Sequence, residues 1–324
     1  MRVIITGAAG FVGQHLRRHL LAHTDWTLCH FSYPILLGNL LPDREEEHLV
    51  DLRDAQRVQD KLRAFAPDAI IHLAGQSHVP TSFADPWDTL ETNIRGQLNL
   101  LEGCVRLNLR PRIVVVSSGE VYGRLQADQG PLDETLPLLP ENPYSVSKAA
   151  QDLMGYQYFI SHKLPVIRIR PFNHVGPGQS ERFVLPAFAA QIARIEAGLQ
   201  EPVLRVGNLD TARDFTDVRD VARAYELAVR YAHPGEAYNL ASGVPRTIRS
   251  LLEALLALAA VPIRVEVDLE RFRPSDTPVL YGNAMKFRGV TGWQPLIPFE
   301  QTVADVLAEW RRKIALQRKA RGEA

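Results

Sequence analysis

MRVIITGAAGFVG, Met1 to Gly13, is the stretch on which the fold turns. Val3, Ile4 and Ile5 form an apolar run, and Gly7, Gly10 and Gly13 follow at three-residue spacing. A continuous apolar run fits a strand covered on both faces of a parallel sheet. Glycines directly after it fit a tight turn into a helix, whose first backbone N–H groups and positive dipole end offer a place for a pyrophosphate. Gly7 permits the turn, Gly10 lets phosphates approach the backbone, and Gly13 lets the helix lie close to the strand. A glycine triplet alone is weak evidence; its place after a strand-like run strengthens it.

Further strand-like runs at 27–31, 69–73, 112–117 and 166–170 alternate with helical patterns near 11–23, 54–65, 89–107 and 144–162. That alternation predicts a doubly wound parallel sheet, an α/β fold of the Rossmann type. After Pro171 the chain turns proline- and glycine-rich, with helices predicted near 184–197 and 247–260. We expect a dinucleotide-binding domain over 1–170 plus about 215–242, where 218–231 reads as a covering helix and 237–239 as a short strand. The remainder, 171–214 plus 243–324, is expected to form a smaller C-terminal substrate-binding lobe.

The 324 residues are 46% hydrophobic and 23% charged, with 37 basic against 37 acidic side chains. This balance gives no global electrostatic case for nucleic acid or a membrane surface. The basic stretch 311–321 reads as a solvated helix end. Cys29 and Cys104 are too few for a disulfide framework and read as reduced core residues. No apolar run approaches the roughly 20 residues that cross a bilayer. The first residues already form a strand, so no signal peptide is read and a cytoplasmic protein is expected. No metal site is read.

YSVSK, 144–148, is the second informative stretch. Helical residues four apart face one way, so Tyr144 and Lys148 can share a site. There an ammonium favours the phenolate, pulling the tyrosine down from about 10 and fitting it for proton transfer. The alternative is a surface pair on an amphipathic helix. Upstream, VVVSSGEVYG at 114–123 ends a strand in hydroxyl residues, at the edge where open sheets bind ligands. Ser118 can hold a substrate oxygen or cap the strand end. Glu120 is a second acid/base or a loop carboxylate.

Together with Asp51 and Leu52, the HLA of 72–74 and Asn93, these residues resemble the extended short-chain dehydrogenase/reductase family of nucleotide-sugar enzymes over nearly the whole chain. The resemblance implies that Ser118, Tyr144 and Lys148 carry hydride-transfer chemistry at a sugar C4 carbonyl, with Glu120 beside them. It implies a nicotinamide cofactor held by Gly7, Gly10, Phe11, Val12, Gly13, Asp51, Leu52, Leu73, Ala74, Gly75 and Asn93, together with Tyr144 and Lys148. Asp51 and Leu52 would lie near the adenine, and Ala74 near the phosphates and ribose.

Three later segments bear on the substrate: FNHVGPGQS at 172–180, VGNLDTARDFTDVRD at 206–220 and RPSDTP at 273–278. They are similar to the GDP-6-deoxy-4-keto-mannose reductases, which form GDP-D-rhamnose. The similarity implies contacts from Ser77, Ser118, Asn173, Val184, Arg205, Asn208, Arg213, Arg273 and Asp276. Arg213 and Arg273 would meet phosphates, for which a planar guanidinium is suited, and Asp276 the nucleotide ribose. QSHV at 76–79 and SGEVY at 118–122 are also similar to GDP-mannose 4,6-dehydratases. Glu120 occupies the position of the dehydratase carboxylate that takes the C5 proton. Gly119, however, stands where dehydratases carry a third polar side chain, and their arginine-rich segment after FNH is missing. The resemblance therefore points first to a 4-keto reductase of a GDP-sugar. A 4,6-dehydratase, a 4-epimerase and a non-catalytic dinucleotide-binding regulator remain as alternatives.

Phe31-Ser32-Tyr33 closes the second strand with no acid to read a ribose 2′-hydroxyl. No arginine adjoins it, although Arg44 or Arg53 could reach a 2′-phosphate, so NADPH and NADH both stay open. Apolar stripes on 89–107 and 144–162, including Leu98, Leu101, Val105, Leu153, Met154 and Tyr158, resemble the helices that relatives pair into a four-helix bundle. They imply a homodimer.

Overall fold

The structure, a computed structural model, describes residues 1–37, 41–124, 130–272 and 277–320. Its first half runs β1 (Arg2–Thr6), α1 (Phe11–His23), β2 (Thr27–Ser32), β3 (Glu45–Leu49), α2 (Ala55–Phe65), β4 (Ala69–His72), α3 (Val79–Ala84) and α4 (Pro86–Leu90). A π-helical turn (Glu91–Arg95) follows, then α5 (Gly96–Arg106), β5 (Arg112–Val116), α6 (Pro143–His162) and β6 (Val166–Pro171). The chain continues through β7 (Asn173–Val175), α7 (Val184–Glu196), β8 (Val203–Val206), β9 (Ala212–Asp217), α8 (Val218–Tyr231) and β10 (Ala237–Leu240). It closes with β11 (Pro245–Thr247), α9 (Ile248–Leu256), β12 (Arg264–Val267), β13 (Val279–Leu280), α10 (Met285–Thr291) and α11 (Phe299–Ala320).

Seven strands form one sheet in the order β10-β6-β5-β4-β1-β2-β3, every pairing parallel. Side chains alternate between its faces, as a pleated strand requires. Val3 and Ile5 enter one core with Leu16, Leu20 and Tyr225, whereas Ile4 enters the other with Val58, Leu62 and Leu100. Both faces are apolar because helices cover both. The direction of winding reverses between β1 and β4, where Thr6 lies opposite His72. Such switch points open a crevice at the carboxyl ends of the strands.

Strand β3, EEEHL, was not expected. It is an edge strand, where polar side chains are favoured, and its glutamates are engaged: Arg17 grips Glu45 bidentately and Ser32 donates to Glu47 at 2.6 Å. The single helix expected over 89–107 is instead α4, the π turn and α5.

A third core gathers Leu185, Phe188, Leu204, Leu251, Val306 and Trp310 from α7, β8, α9 and α11. Around it lie a small sheet of β11, β9, β13 and β7 and the pair β8–β12. Leu280, Ala284, Phe287 and Trp293 return from the C-terminal third to pack beneath the main sheet. Among the described residues no helix is long and apolar enough to cross a membrane. Cys29 and Cys104 are buried and unpaired.

Candidate active site

At the carboxyl edge of β1, Gly7 adopts φ +71°, and a Cβ there would stand 2.9 Å from the backbone of Ala74. At Gly13 a Cβ would fall 2.3 Å from the Gly7 carbonyl oxygen. These two positions need glycine for the reasons the sequence suggests: a left-handed turn and a helix pressed onto its strand. Gly10 caps α1 without any side chain on the exposed amides, so the helix end stays open to an anion. A dinucleotide pyrophosphate fits this cradle.

Helix α6 is started by a capping box. Asn142 Oδ1 accepts from the Ser145 amide at 2.8 Å, Ser145 Oγ accepts from the Asn142 amide at 3.1 Å, and Pro143 occupies the first turn. The box fixes Tyr144 and Lys148 on the inward face. Ser118 follows β5 and caps a 3₁₀ turn (Gly119–Tyr122), its Oγ accepting from the Glu120 amide at 3.2 Å. Asn142 Nδ2 donates to Glu120 Oε2 at 3.1 Å, tying the two segments together.

One cleft of about 300 Å³ brings these parts together. Gly7, Gly10, Phe11, Val12, Gly13, Leu73 and Gly75 line it together with Ser77, Ser118, Glu120, Tyr144, Lys148, Asn173 and Val184. A second cleft of about 380 Å³ shares Glu120, Asn173, Phe183, Val184 and Phe215 with the first. Arg182, Arg205, Arg213 and Arg271 line it, with Asn208. Arg213 Nη1 donates to the Thr277 carbonyl at 2.7 Å.

Other expected residues stand outside the lining. Asn93 holds the loop after β4, its Oδ1 accepting from the Gln76 amide at 2.8 Å and its Nδ2 donating to the Gln76 carbonyl at 3.0 Å. Ala74 donates its amide to Thr6 Oγ1 at 3.1 Å. Asp51 is gripped by Arg53, and the Leu52 carbonyl accepts from Asn99 Nδ2 at 2.8 Å. Arg44 does not turn toward a cofactor; its guanidinium donates to the Leu21 and Thr24 carbonyls at the end of α1. Arg273 and Asp276 lie outside the described residues.

The expected effect of Lys148 on Tyr144 is absent in this state. The phenol is held above its ordinary value by burial and by the Glu120 carboxylate, against which hydrogen bonding with Ser118 works. Lys148 is pushed down to about 8 by burial alone. Its ammonium is turned to two oxygens, Val116 O at 2.9 Å and Gln151 Oε1 at 2.8 Å. Sequence reading passed over Gln151 and the second-cleft arginines Arg182 and Arg271. Gln151 was within reach, because residues three apart on a helix share a face; the two arginines come from segments with no periodic signal.

The family profile described as GDP-mannose 4,6 dehydratase matches residues 4–306. GDP-6-deoxy-D-mannose reductase of Pseudomonas aeruginosa is 38% identical over 97% of this chain and 98% of its own. A dTDP-glucose 4,6-dehydratase of Streptomyces antibioticus is 34% identical over 79% of this chain and 76% of its own. Among solved structures, RMD from Pseudomonas aeruginosa complexed with NADPH superimposes with a TM-score of 0.86 at 38% identity, covering 96% of this chain and 99% of that one. A Thermus thermophilus UDP-glucose 4-epimerase complex with NAD gives 0.83 at 30% identity, covering 96% and 99%. A cleft at the switch point, a glycine turn opening the first helix and this spread of relatives agree: the chain belongs to the GDP-mannose 4,6 dehydratase family, within the extended short-chain dehydrogenase/reductases.

Proposed function

We propose that this protein reduces the C4 carbonyl of GDP-4-keto-6-deoxy-D-mannose to the alcohol of a GDP-6-deoxyhexose, GDP-D-rhamnose, using NADPH or NADH. The observation that carries the reading is the convergence of Ser118, Tyr144 and Lys148 with the glycine cradle in one cleft that continues into an arginine-lined one. The bound reduced nicotinamide supplies a hydride. Tyr144 gives its phenolic proton to the sugar oxygen, and a phenol held protonated by burial suits a donor. Ser118 holds that oxygen, and Lys148 orients the cofactor ribose. Arg205, Arg213 and Asn208 receive the sugar diphosphate. We assign cofactor binding to the sheet-bearing part of the chain and sugar binding to the part built on α7, α9 and α11.

Gly119 favours reduction over dehydration. A Cβ there would stand 2.9 Å from the Phe172 ring, so the place of a third polar side chain beside Ser118 is filled. Incubating the protein with the keto sugar nucleotide and either cofactor, then identifying the product by NMR, tests the reading. The C4 alcohol and oxidised cofactor support it; water loss from GDP-mannose with no net cofactor use assigns a dehydratase instead.

We further propose a cytoplasmic homodimer, paired through α5 and α6. Leu101 and Tyr158 turn inward, whereas Leu98, Leu153, Tyr156 and Ile160 leave an apolar stripe in solvent. A monomer in sedimentation at micromolar concentration contradicts the pairing.

A further inference from the structure

Behind Lys148 runs a chain of buried polar groups that touches neither cleft. Gln151 is fully buried one turn along α6, and its Oε1 accepts from Lys148 Nζ. Its Nε2 donates to the Asn93 carbonyl at 2.9 Å and lies 3.3 Å from His72 Nε2. His72 Nδ1 is 2.8 Å from Thr6 Oγ1, which also accepts the Ala74 amide. The Gln151 backbone carbonyl takes Gln97 Nε2 at 2.8 Å. Asn93 sits in the π turn, where the helical hydrogen-bond ladder is interrupted and carbonyls become available to other donors.

The donor and acceptor roles leave one solution. An ammonium only donates, so Gln151 must show it oxygen; a flipped amide would set N–H groups against the ammonium. The amide nitrogen then requires acceptors, and the Asn93 carbonyl and an unprotonated His72 Nε2 are both present. Neutral His72 carries its hydrogen on Nδ1, toward Thr6. Burial and the Lys148 charge push His72 down to about 3, which keeps it neutral. With two of its hydrogens on Val116 O and Gln151 Oε1, Lys148 has one left for the cleft.

We propose that Gln151 is a positioning residue for Lys148, its amide locked by His72 and the Asn93 carbonyl so that oxygen always faces the ammonium. The effect on turnover rests on the reductase reading; the effect on Lys148 itself does not. The other ionisable groups around the amine are His72 on β4, which feels its charge, and Tyr144 and Glu120, which line the same cleft. Among the described residues no carboxylate contacts the amine, so the amide oxygen is the chief side-chain support for its charge.

The test uses Gln151→Met, which keeps the shape and removes the oxygen, and Gln151→Glu, which replaces the amide by a carboxylate. Lys148 is titrated in the full-length, unliganded protein by heteronuclear NMR of isotope-labelled lysine, its resonance being the one missing from Lys148→Met. The expected result is a midpoint below the wild-type value in Gln151→Met and above it in Gln151→Glu. With it, kcat for the keto sugar falls about tenfold in Gln151→Met, the loss expected for one hydrogen bond to a charged group; KM and cofactor affinity stay near the wild-type values. Folded variants whose lysine titrates at the wild-type midpoint overturn the proposal. If Gln151→Met does not fold, the direction of the Gln151→Glu shift decides. A moved midpoint in a wild-type protein that reduces no keto sugar keeps Gln151 in its role and removes the reductase reading instead.

Discussion

The two clefts are built by opposite means. The cradle end of the first is formed by the connections that follow adjacent parallel strands: Gly7, Gly10 and Gly13 after β1, and Leu73 and Gly75 after β4. The second is made of long side chains from scattered segments: Arg182 before α7, Arg205 on β8, Arg213 on β9 and Arg271 beyond β12. A dinucleotide is a fixed shape, and a glycine cradle can be complementary to it. A sugar nucleotide varies among relatives, and side chains on connecting segments can change without disturbing the sheet. Substitutions in the first cleft should therefore affect chemistry and folding, and those in the second affinity for the sugar nucleotide.

The largest expected effect is in the first cleft, which Tyr144 lines. Tyr144→Phe should lower kcat by about 10³-fold, within the range of general acid catalysis, while cofactor affinity by fluorescence titration stays unchanged. Lys148 comes next, through pH and stability. Its folded value of about 8 lies below its ordinary 10.5, so the unfolded chain holds more protons between those two pH values. Wild-type stability should thus rise with pH across that window relative to Lys148→Met, by at most about 3 kcal/mol. Parallel denaturation curves at pH 7.5 and 10.5 check this; a constant difference contradicts the buried, cationic-when-protonated lysine. Gly13→Ala sets a methyl against backbone and should destabilise by about 2 kcal/mol, with weakened cofactor binding, measured by thermal denaturation with and without NADPH. The smallest effect belongs to the second cleft. Arg205→Ala should raise KM for the sugar nucleotide about tenfold, the worth of a charge-assisted hydrogen bond, with kcat and cofactor affinity unaltered.

The same contrast explains what could be read from the sequence. Strand β1, helix α1 and the covering helix α8 stand where periodicity and glycine spacing put them, because burial on a sheet face imposes a pattern on successive residues. Strand β3 escaped because an edge strand of three glutamates carries no apolar pattern. Three strands of the small sheet, two or three residues each, are too short for one. Tyr144, Ser118 and Lys148 were legible as residues, but the sense of the electrostatics was not. The phenol is raised rather than lowered, since burial and Glu120 act on it while Lys148 is turned to Val116 O and Gln151. The break of the predicted helix at Glu91–Arg95, which gives Gln151 its acceptor at Asn93, has no local sequence signature.

The central claim is that hydride passes to the sugar C4 while Tyr144 protonates the oxygen, and isotopic labelling tests it most directly. Reduced cofactor carrying deuterium at both hydrogens of the nicotinamide C4 is mixed with GDP-4-keto-6-deoxy-D-mannose, and the sugar product is examined by NMR. The account predicts deuterium at the sugar C4 with one cofactor oxidised per product, and almost none of this product from Tyr144→Phe. Product without deuterium at the sugar C4, or a Tyr144→Phe variant that forms the labelled product at the wild-type rate, contradicts the account.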